Sequence, residues 1–312
     1  MATPPPDSDS HPEASAILCT YNRSHALARV LAALRSQTVS PDAFEIVVVD
    51  DGSTDDTAAV VAEAARHMPN LRFVQHDANR GTAASGNTGI AAARTDKLLF
   101  IDDDCIPDPS WVEAMAAALD DSPVVLGAID SPRDGYVKLC HNVAQFYAFM
   151  PGEPAGPKTG IAGANMAFRR GVFDQVGGFD DTLRCASDMD MAIRARLRRI
   201  RLSFAPEALI VHDPDRVTLR DVFGYAASHA AATIDLRHKY WAVLQTPWVF
   251  AHPHLLLLAS PFIALWVTYR VYTRTPRLFR LLRTAPVVFG LKIAWCWGAA
   301  RRLLQRRREA MS

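Results

Sequence analysis

The stretch that most constrains this chain is Leu98-Leu99-Phe100-Ile101-Asp102-Asp103-Asp104. A short apolar run reads as a buried strand, and this one stops in three consecutive carboxylates. Like charges within about 10 Å of one another repel, and burying them costs desolvation. They are tolerable in water or around a cation. Oxygen-only ligands of this kind suit Mg²⁺ or Mn²⁺ rather than zinc. The plain alternative is a solvated acidic loop, and the neighbouring segments weigh against it.

Ala16-Ile17-Leu18-Cys19 reads as a first strand, closed by Thr20-Tyr21-Asn22-Arg23. Ser24 is placed to cap a helix in which Leu27, Val30, Leu31 and Leu34 fall at i, i+3, i+4 and i+7. Residues 45–49 read as a second strand, in which Ile46-Val47-Val48-Val49 is an unbroken β-branched run of the kind buried on both sheet faces. That run ends in Asp50-Asp51-Gly52-Ser53-Thr54, a turn into a helix that reaches Arg66. Residues 71–74 make a third strand, 81–93 a small-residue helix and 98–101 a fourth strand. Ser110-Trp111-Val112-Glu113 has capping-box spacing for a helix to about Leu119, and 124–126 is a fifth strand. Strands alternating with helices predict parallel βαβ units, whose ligands bind outside the carboxyl ends of the strands. Thr20-Tyr21-Asn22, Asp50-Asp51 and the acidic triplet all stand at such ends. Any one could be an ordinary turn; their coincidence marks the active edge.

No G-x-G-x-x-G follows the first strand and no G-x-x-x-x-G-K-[ST] occurs, which argues against a dinucleotide fold or a P-loop. A bound phosphate would need another counter-charge, and a metal on the triplet supplies it. The net charge of +1 argues against nucleic acid as a partner. It hides an asymmetry: acidic residues dominate through Asp235, and thirteen basic residues against one acidic follow it. Five widely spaced cysteines without a C-x-x-C pair indicate neither a disulfide framework nor a zinc site and fit a reducing compartment. Residues 1–14 carry no signal-peptide pattern and read as a disordered leader.

In the second half, residues 160–168 are a Gly/Ala segment leading into a strand, able to let a ligand approach the backbone. Gly177-Gly178-Phe179-Asp180 is a turn. Ser187-Asp188-Met189-Asp190 opens a helix with two carboxylates in its first turn, and residues 206–212 form a strand ending in His212. Dipole compensation explains such carboxylates in most helices, and a strand-end histidine is commonly structural.

Thr20-Tyr21-Asn22-Arg23, Val48-Val49-Asp50-Asp51-Gly52-Ser53-Thr54-Asp55, Asn79-Arg80-Gly81 and Asp102-Asp103-Asp104 occur in that order and at suitable spacing. Together they resemble the family 2 glycosyltransferases over residues 15–214. The resemblance implies a GT-A fold: a Rossmann-like, mostly parallel sheet flanked by helices. It implies a donor side formed by Thr20, Tyr21, Asn22, Asp50, Asp51, Arg80, Asp102 and Asp103, taking a UDP-, GDP- or dTDP-sugar. Within it, Thr20 and Tyr21 would lie by the base, Asp50 or Asp51 would bond base or ribose, and Asp102 would face the ribose. Asp104 would hold Mn²⁺ or Mg²⁺, with His212 completing the metal shell. Gly163, Ala164 and Asn165 would line the sugar and acceptor loop. Asp188 falls where the family has its catalytic base, although Ser187 replaces the usual preceding Glu. The expected reaction is inverting transfer to a hydroxyl or phosphate of a lipid-linked or glycan acceptor, with a polyprenyl-phosphate glycosyltransferase as the alternative enzyme subtype. The rivals are a sugar-phosphate nucleotidyltransferase, which wants a Gly-rich basic loop after the first strand, and a catalytically silent nucleotide-sugar-binding scaffold.

Composition divides the chain into the leader, a catalytic domain over 15–240 and a basic, hydrophobic helical tail over 241–312. Residues 248–269 approach the roughly 20 apolar residues of a membrane span, but His252, Pro253, His254 and Pro261 interrupt them. Residues 285–300 are shorter and carry Lys292. A span through 248–269 from a cytosolic domain would put the following arginines outside, against the positive-inside tendency. Peripheral or monotopic attachment at the cytoplasmic face keeps all of them by anionic lipid. The alternative is a packing element using Trp266, Trp295 and Trp297.

Overall fold

A computed structural model describes residues 12–183 and 185–309. Most of the expected leader lies outside the described residues. The chain begins its regular structure at β1 (Ala14–Thr20), α1 (Ser24–Arg35), β2 (Phe44–Asp50), α2 (Thr57–Ala65), β3 (Leu71–Gln75), α3 (Thr82–Ala92) and β4 (Lys97–Asp102). In this half the sequence pattern and the structure agree closely. Leu27, Val30, Leu31 and Leu34 are all buried, and every residue of β2 is buried. β3, β2, β1 and β4 lie side by side and parallel, so the polar ends of β1, β2 and β4 share one edge.

The second half is mixed in direction. It runs through β5 (Cys105–Pro107), α4 (Trp111–Asp121), β6 (Val124–Asp130), α5 (Tyr136–Phe146), β7 (Gly156–Pro157), β8 (Asn165–Arg169), α6 (Gly171–Val176), α7 (Ser187–Leu197) and β9 (Leu202–His212). The sheet order is β3-β2-β1-β4-β8-β6-β9-β5, with β7 on β9. β8 is antiparallel to both β4 and β6, whereas β6 and β9 are parallel.

Two expected caps are built differently. Ser24 begins α1 without capping it; its N–H donates to Asp55 Oδ2 at 3.0 Å. Ser110 precedes α4, but its hydroxyl and N–H both go to Asp108 Oδ1 (2.9 and 3.1 Å), so no capping box forms. Gln37 Oε1 accepts the Val112 N–H instead. Ser24 falls one residue inside the helix, and at Ser110 the nearby Asp108 carboxylate takes the hydroxyl that a capping box would use.

The tail consists of α8 (Leu219–Lys239), α9 (Pro253–Tyr272), α10 (Pro276–Arg280) and α11 (Ala285–Glu309). Ala230 and Ile234 of α8, Leu256 of α9, and Cys296, Ala299, Ala300 and Leu303 of α11 share one apolar cluster. Gly298 permits the close crossing of α11 on α8, because a Cβ there would fall 2.0 Å from the Ala227 carbonyl oxygen. The helical layer therefore starts with α8, ahead of the compositional boundary at 240.

Candidate active site

The acidic triplet and His212 are brought together by register. β5 pairs antiparallel with β9, opposing Cys105 to His212, and the Asp213 N–H donates to the Asp104 carbonyl at 2.8 Å. His212 Nε2 then lies 3.6 Å from Asp104 Oδ1. The imidazole is fixed from behind by buried Asn142 of α5. Its amide nitrogen donates to the His212 carbonyl (2.8 Å) and to Ser131 Oγ (3.1 Å), leaving its oxygen to accept from His212 Nδ1 at 2.7 Å. This network assigns the proton to Nδ1. Burial pulls the His212 pKa below its ordinary value, favouring the neutral ring. A lone pair on Nε2 thus faces a carboxylate, an arrangement that a shared cation relieves. Oxygen and imidazole donors fit Mg²⁺ or Mn²⁺. Cys105 is also within ligand reach, but burial pushes its thiol well above the usual range, so it is a poor ligand for a hard cation.

The rest of the triplet is poorly neutralised. Asp103 accepts from Thr20 Oγ1 (2.8 Å) and from Arg23 (2.7 Å), and Arg23 also reaches Asp104 (3.0 Å) and Asp215 (2.9 Å). One guanidinium therefore serves three carboxylates. Burial pushes Asp103 up to about 6 despite Arg23. For Asp102, burial comes first and repulsion from Asp104, Asp103 and Asp188 adds to it, pushing the carboxyl up to about 8.

Two cavities meet here, of about 560 and 510 Å³. Both touch Cys19, Thr82, Asp102, Phe146 and Tyr225. Of the expected donor residues, Thr20, Tyr21, Asp51, Arg80, Asp102 and Asp103 line the first cavity, with Asp104 and His212. Asp50 and Asn22 do not. Asp50 is fully buried, accepting from the Ser53 N–H (3.0 Å) and Gln75 (2.8 Å). Asn22, at φ +52°, ties two loops together by accepting from the Thr54 N–H at 2.7 Å. Asp51 lines the cavity, yet its carboxylate is filled by the N–H groups of Arg80 (2.9 Å) and Gly81 (2.8 Å) and by His76 (2.8 Å). It is a buttress under the Arg80 loop.

The second cavity is lined by Gly163, Ala164 and Asp188, with Phe149, Ile161, Met166 and Phe179 giving it an apolar wall. Asp188 sits in the first turn of α7, after Ala186 at φ +63°. Its Oδ2 accepts the Gly163 N–H at 3.0 Å and its Oδ1 the Met189 N–H at 2.8 Å, which fixes the plane of the carboxylate. A Cβ at Gly163 would stand 3.2 Å from Oδ2, so glycine lets this loop close on Asp188 where a larger residue would press on its carboxylate. Asn165 is instead a fully buried strut, donating to the Ala128 and Ala208 carbonyls (2.9 Å each) and accepting from Trp111 Nε1 at 2.8 Å. Asp190 is likewise structural, bonded to Arg194, Lys239 and Tyr240.

Sequence reasoning missed two residues. Asn142 belongs to α5, a helix that went unread although Val137, Cys140 and Ala144 mark one face at i, i+3 and i+7. Arg216 lines the first cavity with its guanidinium 4.1 Å over the Tyr225 ring, and no carboxylate pairs with it among the described residues. No local pattern announces it. The arrangement can bind a polyanion beside a cation site and present a fixed carboxylate to a hydroxyl in the adjoining cavity.

Comparison with known proteins agrees with this geometry. The family described as Glycosyl transferase family 2 matches residues 15–177, and Glycosyl transferase family group 2 matches 97–298. The chain is 28% identical over 249 residues to the pre-mycofactocin glycosyltransferase of Mycobacterium tuberculosis, covering 75% of this chain and 50% of that protein. It therefore spans half the length of that relative. It is 27% identical over 203 residues to the glycosyltransferase AglE of Haloferax volcanii, covering 64% of this chain and 67% of AglE. Among solved structures, the mannosyltransferase PcManGT of Pyrobaculum calidifontis, in complex with GDP-Man and Mn²⁺, superposes with TM-score 0.61 at 21% identity, covering 94% of this chain and 89% of that one. TarS 1–349 of S. aureus in complex with UDP gives TM-score 0.55 at 19% identity, covering 95% and 92%.

Proposed function

The chain belongs to glycosyltransferase family 2 and has its GT-A fold, and on that premise we propose that it moves a sugar from a nucleotide-diphosphate donor to an acceptor hydroxyl with inversion. The observation that carries this reading is the meeting of the two cavities at Asp102, with Asp104 and His212 on one side and Asp188 on the other. Solved neighbours that bind GDP-Man, UDP and UDP-GlcNAc support the donor class.

The donor's diphosphate lies in the first cavity, where Arg216 and Arg80 are cations without a carboxylate partner among the described residues. Asp104 and His212 would hold Mn²⁺ or Mg²⁺, which would offset the negative charge of the leaving diphosphate as a Lewis acid. Asp188 accepts the acceptor's hydroxyl proton as the oxygen attacks the anomeric carbon. The bond from that carbon to the phosphate oxygen breaks on the opposite face, its electron pair leaving with the nucleoside diphosphate. The single base and opposed departure invert the anomeric centre. The apolar wall of the second cavity favours an acceptor carrying an apolar portion, as a lipid-linked sugar does.

The test is nucleoside diphosphate release from a panel of UDP-, GDP- and dTDP-sugars offered with lipid-linked and glycan acceptors. Acceptor-dependent release by the wild type, lost in Asp188→Asn while donor binding survives, is the expected result. Full activity of that variant would overturn the assignment of the base. Donor binding without turnover of any pair would favour the silent scaffold.

A further inference from the structure

α9 is apolar around its whole circumference, yet only one side of it is packed. Leu256, Ser260, Ala264, Thr268, Val271 and Tyr272 are buried against the helical layer. Leu255, Leu258, Phe262, Leu265, Trp266 and Tyr269 are exposed, Leu258 and Phe262 to 73% and 76%. At 3.6 residues per turn these six fall within an arc of about 100°, opposite the buried stripe. Helices apolar all round belong in a core or in lipid, and contiguous exposed apolar surface of this kind marks an interaction site. The helix is long and apolar enough to cross a membrane by composition alone. Spanning would strip its buried stripe from α11.

The charge around this face indicates what covers it. Arg274 pairs with Glu153, Arg277 with Asp130, and Arg302 and Arg306 with Asp235. Those arginines fasten the tail to the catalytic domain and to α8, contrary to the expectation that the whole set faces lipid. Arg270, Arg280 and Arg283 have no carboxylate partner among the described residues. Arg270 lies 5.1 Å over the Trp266 ring, and Arg280 stands between exposed Phe279 and Leu282. Trp248 and Trp297 are also more than half exposed. Aromatic rings interleaved with free arginines match the interface of a bilayer, where rings enter the headgroup region and guanidinium groups meet lipid phosphate. A second copy would bring the same unpaired cations together.

We propose that this face of α9 lies flat on an anionic membrane surface, with Arg270, Arg280 and Arg283 at the headgroups, making the protein monotopic. The proposal is independent of the sugar-transfer reading. Co-sedimentation of the full chain with vesicles of phosphatidylcholine, or of equal parts phosphatidylcholine and phosphatidylglycerol, tests it. The wild type should pellet with the mixed vesicles, less so at high salt. Leu258→Glu combined with Phe262→Glu should lower the bound fraction about tenfold or more, with an unchanged melting temperature. Should that variant misfold, Phe262→Ser with Trp266→Ser replaces it. Wild type left in the supernatant with both vesicles, or variants that pellet equally well, would overturn the proposal. A stable dimer dissolved by the same substitutions, without vesicle binding, would assign the face to a second copy.

Discussion

Two acidic clusters end the strands that flank β1, Asp50-Asp51 on β2 and the Asp102–Asp104 triplet on β4, and they are in opposite physical states. The carboxylates of the first are filled: Asp50 by Ser53 and Gln75, Asp51 by two backbone N–H groups and His76. Asp51 is held below the usual carboxylate range by those bonds, although its burial opposes it. In the second, one arginine and a threonine serve Asp103 and Asp104; burial drives Asp102 up to about 8 and Asp103 up to about 6, while Asp104, beside His212 and Arg23, is held below the usual range. Internally satisfied charge stabilises a fold. Unsatisfied charge in a cavity is held for something outside the chain.

The largest effect that would break this contrast belongs to Asp188, the proposed base beyond the triplet. Asp188→Asn should lower kcat by about 10²–10⁴-fold without a change in melting temperature, read by steady-state kinetics beside thermal melts. Gly163→Ala should reproduce part of that loss by pushing the carboxylate aside. Next, Asp51→Ala strands the Arg80 and Gly81 N–H groups and should cost about 2–4 kcal/mol of stability, measured by urea unfolding. Asp102→Asn, by contrast, should leave stability equal or slightly higher. Asn142→Ala removes the acceptor that sets the His212 tautomer and should weaken activation by Mn²⁺ about 10-fold, seen in the metal titration of activity.

The smallest effects are in pH and have opposite signs. Asp51, with its folded pKa lowered, contributes stability that is present above about pH 4 and lost as pH falls through its folded value. Asp102, with its folded pKa raised, favours folding at low pH, and that contribution is lost as pH rises from about 4 towards 8. Asp102→Asn should flatten the metal-free melting curve between about pH 5 and 8 by a few degrees, and Asp51→Asn should flatten it below about pH 4.

The sequence announced both clusters in the same way, as carboxylates at strand ends, and could not tell them apart. Local pattern carried the first half of the sheet, because parallel βαβ units are written in short-range periodicity. It failed where the answer depended on distant pairing. Apart from the Ser53 N–H, the partners of Asp50 and Asp51 come from loops and strands beyond the turn itself. Asp104 meets His212 only through the β5–β9 register, and Asn142 reaches that histidine from a helix on another layer. Asn165, a Gly/Ala-loop residue by sequence, turned out to be a strut because β8 runs antiparallel beneath the loop. In the tail, composition registered the arginines, but only the fold separates those consumed by Glu153, Asp130 and Asp235 from those left free.

The central claim is that the triplet, and not its satisfied neighbour, is the cation-dependent donor site. Thermal shift with UDP, GDP and dTDP, with and without Mn²⁺, in the wild type and in Asp104→Ala tests it most directly. The account predicts that Mn²⁺ raises the melting temperature with one of these nucleotides and that Asp104→Ala abolishes the rise. Nucleotide stabilisation equal in both proteins and indifferent to Mn²⁺ would contradict it.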